Sequence, residues 1–147
     1  MSREPRVAGL VPVGPLVASI GALLLIVSLF LNWWTGVTAF TAYEFLDLLL
    51  LILALATIFS LAGGLGLVRP AVSPGVSLAV SVFTILVVLS QVVNDPPAIV
   101  GTGRGHAVGI WLALGGAALM VAGAVLGYAQ ISLAIETRRR DDDEPRP

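Results

Sequence analysis

Apolar residues come in four long runs along this chain, separated by short stretches of charge or of proline and glycine. A helix that crosses about 30 Å of hydrocarbon needs roughly 20 such residues. The first run opens at Pro15, whose missing N–H suits the first turn of a helix, and predicts a span over about 15–34. The second ends before Arg69-Pro70 and predicts a span over about 43–67. In the third, Ser73-Pro74 offers an N-cap followed by proline at the first helical position. It predicts 74–93, with Asn94 as a left-handed cap and Pro96-Pro97 blocking continuation. The fourth predicts about 106–133. The expected fold is all-α: a four-transmembrane-helix bundle over 1–135, then a disordered charged tail over 136–147. The first run is longer than the about 7–15 residues of a signal-peptide core, so it is expected to stay in the protein.

Arginine placement predicts orientation, because cytoplasmic loops are rich in basic residues. Arg3, Arg6, Arg69 and Arg138–Arg140 fall on one side of the four spans, and Arg104 alone falls on the other. Both termini are therefore expected in the cytoplasm, with the chain in the cell (inner or plasma) membrane. Trp33, Trp34, Tyr43 and Trp111 then fall near the outer interface, where tryptophan and tyrosine anchor to headgroups.

Composition narrows the function classes. Apolar residues make up 57% and charged residues 12% of the chain, against about 25% charged in soluble domains, so lipid is the expected solvent. Net charge is -1, which points to no nucleic-acid partner. Cysteine is absent, which removes disulfides, thiolate metal sites and cysteine nucleophiles. His106 is the single histidine, too few for a histidine-based metal centre. No catalytic, cofactor or metal site is expected.

Small residues recur every four positions, as close helix packing in lipid requires. They are Gly14, Ala18 and Ala22; Ala56, Ser60 and Gly64; Ser73, Ser77 and Ser81; Gly109, Ala113 and Ala117; and Gly123 with Gly127. Most are expected to pack within one bundle, and one stripe on the fourth span is a candidate contact with another subunit.

Glu44 and Asp47 are the leading site candidates. Three positions apart, they share a helix face at the outer end of the second span, and Arg104 is the outward cation that could pair with them. Against that, Thr41-x-x-Glu44 is a capping box, and carboxylates suit a helix N-terminus. Gly101-Thr102-Gly103-Arg104-Gly105 lacks the strand context and the Lys-Ser/Thr ending of a phosphate loop and reads as a connection. No Asp, Glu, Lys, Arg or His stands at the middle of a span, where ion-coupled transporters place one. In the tail, three arginines suit anionic headgroups, and the acids after them offset their charge. A short docking peptide is the alternative to a plain solvated tail.

Ser28-Leu29-Phe30-Leu31-x-Trp33-Trp34, followed by Thr41-Ala42-x-Glu44-Phe45-Leu46-Asp47 and a leucine-rich run, resembles a group of uncharacterised small four-helix integral membrane proteins of actinobacterial type. In that group the motif reads S-L-F-L-P-W-[YW] before an acidic segment entering the second helix; here Asn32 stands in place of the proline. The resemblance implies architecture and carries no mechanism.

Taken together, the sequence predicts an integral membrane protein without catalytic activity, an accessory or scaffold subunit or a small envelope protein. Its expected partners are membrane lipids, and other membrane subunits or further copies of itself. The alternative is an oligomeric channel or transporter component for a small solute or lipid, for which Ser73, Ser77, Ser81, Thr84 and Gln91 offer a mild polar stripe. An enzyme built on Glu44 and Asp47 would have two carboxylates and no metal, nucleophile or histidine partner.

Overall fold

The structure, a computed structural model, describes residues 13–39, 45–65, 67, 72–94 and 105–142, with the backbone alone over 130–142. The elements follow in the order α1 (Val13–Leu29), β1 (Asn32–Trp34), β2 (Val37–Thr38), α2 (Leu46–Gly64), α3 (Pro74–Val93) and α4 (Val108–Asp142). Helices over Leu46–Gly63, Pro74–Val93 and Val108–Ala129 are long and apolar enough to cross a membrane, and the chain has the build of a multi-pass membrane protein. Helix α1 is apolar but 17 residues long. At 1.5 Å per residue it measures about 25 Å.

Local hydrogen bonds shape several helix ends, and only α3 keeps both of its expected bounds. Helix α1 stops at Leu29, where a span to Trp34 was expected. The N–H groups of Phe30 and Leu31 bond three residues back, to Val27 O at 3.2 Å and Ser28 O at 3.1 Å. Such bonds tighten the last turn and release the chain, so Asn32–Trp34 becomes a strand. Helix α2 occupies Leu46–Gly64 within the expected 43–67, and its N-cap, Phe45, makes no side-chain cap bond. The Thr41–Glu44 capping box lies outside the described residues. At its other end, Leu67 N–H reaches back to Ala62 O at 2.9 Å.

Helix α3 has the expected bounds, and the Ser73 hydroxyl accepts from Val76 N–H at 3.4 Å. Asn94 is extended (φ -83°, ψ 151°), not left-handed as expected. Its amide turns back instead and donates to Ser90 Oγ at 3.0 Å. Helix α4 begins at Val108 and runs on to Asp142, through most of the segment expected to be disordered. Neither glycine nor proline interrupts it between Gly127 and Pro145, and its glutamate, arginine, alanine and leucine are good helix formers.

Helices α1 and α4 run antiparallel and approach through glycine. A Cβ at Gly21 would stand 2.5 Å from Gly116 O, and one at Gly116 would stand 2.7 Å from Gly21 O. One at Gly14 would meet the backbone of Gly127 and Gly123, and one at Gly123 would meet the backbone of Ala18. Gly14 and Ala18 of the first stripe and the Gly123–Gly127 pair are thus used on each other within one chain. Ala22, Leu25, Leu29, Leu50, Val88 and Met120 continue the wholly buried core. The exterior is apolar: Ile20 and Leu23 on α1, Ile52 and Phe59 on α2, and Phe83 and Leu86 on α3 are all exposed. A contiguous apolar surface of this kind suits lipid contact.

Candidate functional site

The chain's chemistry gathers where α1 ends and α4 begins. Two residues, Thr35 and Gly36, join β1 to β2, and Gly36 takes φ 79°, a left-handed conformation that glycine adopts without a steric penalty. The pairing runs Asn32 to Thr38 and Trp34 to Val37, so β1 holds one residue more than β2 over this stretch. A regular strand sends consecutive side chains to opposite faces. A bulge re-aims one of them, and here both Trp33 and Trp34 are fully buried.

The ribbon is tied to the start of α4. Thr35 N–H donates to Gly105 O at 3.2 Å, and Ala107 N–H donates to Trp33 O at 2.8 Å. Trp34 bridges His106 in an antiparallel pairing. A Cβ at Gly109 would lie 2.7 Å from both Asn32 O and Trp33 Cδ1, so helix α4 enters directly beneath the ribbon. Trp33 Nε1 donates to Ser28 O at 2.9 Å, and the Trp33 and Trp34 rings sit 6.2 Å apart, tilted by 46°. The two tryptophans expected as headgroup anchors are therefore core residues, closing the end of the bundle from inside. Trp111 is exposed and meets His106 edge-on, with ring centroids 6.1 Å apart.

Asp47 lies in the first turn of α2 and is also fully buried. It shares a face with Leu50, Ala54 and Thr57, all buried, so the helical spacing turns it into the bundle and away from the interface where it was expected. Among the described residues, neither carboxylate oxygen has a hydrogen-bond partner. A helix N-terminus favours a nearby carboxylate by about 0.3–1 kcal/mol. Burying an ion without a partner costs several kcal/mol, so the helix end does not offset the burial. Glu44 and Arg104, expected beside Asp47, and Tyr43, expected as an anchor, lie outside the described residues.

The remaining interior hydroxyls are committed to their own helices. Ser28 donates to Leu25 O at 2.6 Å, Thr57 to Leu53 O at 3.0 Å, Ser81 to Ser77 O at 2.9 Å and Thr84 to Val80 O at 2.8 Å. Ser19 Oγ, by contrast, is buried without a hydrogen bond among the described residues. Among the described residues no group of three His, Cys, Asp or Glu side chains comes together to hold a metal.

The ribbon and its pairing with 105–107 are the parts that span-length reasoning missed. The signal was present: a Thr-Gly pair flanked by Trp-Trp and Val-Thr, residues favoured in strands. No known protein family, curated protein or solved structure matches the chain.

Proposed function

We propose that the chain is a four-span protein of the cell (inner or plasma) membrane, with both termini in the cytoplasm. In this reading it serves as a non-enzymatic accessory or scaffold subunit. The four-span count takes α1 as a short span, and the exposure of Ile20 and Leu23 along it supports lipid contact. The arginine distribution supports the orientation.

The observation that carries the scaffold reading is the commitment of the interior hydroxyls. Ser81 and Thr84, the core of the polar stripe on α3, are bonded to their own backbone. Glycine contacts close the α1–α4 seam to van der Waals distance. Such an interior is a packing device, which leaves the exterior as the working surface.

Extraction in mild detergent, with size analysis and mass spectrometry of co-purifying chains, tests this reading. A defined heteromeric complex is the expected result. A lone chain in every detergent would overturn it.

Asp47 favours a second reading, a channel or transporter component. A buried carboxylate inside a membrane bundle is costly and is commonly functional. In that reading Asp47, Glu44 and Arg104 form the outer polar cluster. Arg104 immediately precedes Gly105, whose carbonyl holds Thr35. Solute uptake into vesicles by Asp47→Asn and Arg104→Gln variants separates the two readings, since a scaffold role predicts no change in flux.

A further inference from the structure

The ribbon end of the bundle changes character within a few residues. Phe30 at the exit of α1, Phe45 at the entry of α2, Val93 at the end of α3, and Val108 and Trp111 at the start of α4 are each more than half exposed. Just beyond them the exposed side chains are polar: Asn32 and Thr35 on the ribbon, Asn94 after α3 and His106 before α4. On α1 and α4 the change falls at one level. A Cβ at Gly109 would lie against Asn32 O and Trp33 Cδ1, and Thr35 N–H bonds Gly105 O. In a four-span bundle α2 starts and α3 finishes at this same end.

Two requirements bracket that level from opposite sides. Exposed apolar surface is disfavoured in water by about 25 cal/mol per Å², so Phe30 and Trp111 require an apolar medium. The Thr35–Gly36 turn is exposed irregular backbone, and such backbone is not found facing hydrocarbon. The medium therefore changes between Phe30 and Thr35 on the first helix and its ribbon, and between Trp111 and His106 on the last. A partner protein would cover one side of a bundle. This apolar ring has a member on every helix, as a surround of lipid requires.

We infer that the hydrocarbon boundary of the bilayer crosses the bundle at this level. Phe30, Phe45, Val93 and Trp111 contact lipid acyl chains, and the ribbon turn, Asn94 and His106 stand among the headgroups. The anchoring that tryptophan gives at an interface then belongs to Trp111, which His106 meets edge-on, and not to the buried Trp33 and Trp34. The inference rests on the four-span reading and adds to it the depth at which the bilayer ends.

The full chain, reconstituted in phosphatidylcholine vesicles, reports this level through tryptophan fluorescence. Acyl chains brominated beside the headgroup should quench it more than chains brominated at the far end, and Trp111→Phe should remove that difference. In the Trp111→Phe background, Phe30→Trp should restore the preference for shallow bromines. Leu23→Trp, at an exposed position of α1 about 10 Å deeper at 1.5 Å per residue, should be quenched best by the deep ones. If Trp111 or Phe30→Trp shows no preference for shallow bromines while Leu23→Trp is quenched, the boundary is overturned and the four-span reading stands. If Leu23→Trp is not quenched either, both fall. In native membranes, a benzophenone side chain introduced at Phe30 or Phe45 should join to lipid on illumination. A protein adduct at either position would overturn the assignment to lipid.

Discussion

The indole N–H of Trp33 donates to the carbonyl oxygen of Ser28 at 2.9 Å, across the point where α1 gives way to β1. One bond thus fixes a helix end, a strand start and the placement of a large buried ring. Trp33→Ala should remove all three and lower stability by about 3–5 kcal/mol, the range for deleting a large buried aromatic. Trp33→Phe keeps most of the volume and should lose about 0.5–1.5 kcal/mol with the indole bond, because Ser28 O still accepts from Leu31 N–H. Denaturant-induced unfolding in mixed micelles, followed by tryptophan fluorescence, measures both. A Trp111→Ala control should shift the midpoint little, because Trp111 is exposed.

The α1–α4 seam predicts a sharp difference between glycines. Gly21→Ala places a methyl group 2.5 Å from Gly116 O, and the helices must separate to accept it. A loss of about 1–3 kcal/mol is expected, as for overpacking elsewhere. Gly75 has open space, so Gly75→Ala should be neutral within about 0.5 kcal/mol. Equal midpoints for the two variants would show that the seam is looser than described.

Gly36 makes a separate prediction about the ribbon. At φ 79° a side chain is strained, and Gly36→Ala should cost about 1 kcal/mol or more. The effect should be local. Amide exchange at Thr35 and Ala107, whose N–H groups bond Gly105 O and Trp33 O, should accelerate. Amides in the middle of α3 should not respond.

Asp47 runs against the usual direction of core mutagenesis. Its oxygens are buried and, among the described residues, unbonded, and an unpaired buried polar group costs about 1–3 kcal/mol. Asp47→Leu should therefore raise the unfolding midpoint. A fall instead would mean that the carboxylate has a stabilising partner. A gain in stability together with lost activity would mark Asp47 as retained for function.

The sequence made most of the helical architecture legible and little of its closure. The bounds of α3 could be read because Ser73-Pro74 is an unambiguous start. The end of α1 could not, since Leu29, Phe30 and Leu31 remain as apolar as the helix before them. Only the three-residue-back hydrogen bonds and the reach of Trp33 to Ser28 decide it. Trp33 and Trp34 look like interfacial anchors by position. Their burial depends on a bulge and on a pairing with residues 105–107, a long-range contact that periodicity does not encode. The glycines of α4 announced close packing, but the partner of each seam follows from which face α1 covers. Asp47 was visible as a candidate for its charge, and its inward direction follows from sharing a face with Leu50 and Ala54. Tyr43, Glu44 and Arg104 stand outside the described residues, so the cluster expected around Asp47 remains a proposal.

The glycine seam joins the first helix to the last, and this sets an order on biogenesis. As the chain leaves the ribosome, Gly14 and Gly21 of α1 have no α4 to face, and β1 has no segment 105–107 to pair with. Loop closure between such distant segments is slow compared with local contacts. The bundle therefore locks only after α4 has been made. A product truncated before α4 would hold an unsealed α1 and an unpaired ribbon, so the assembly of this bundle waits on α4.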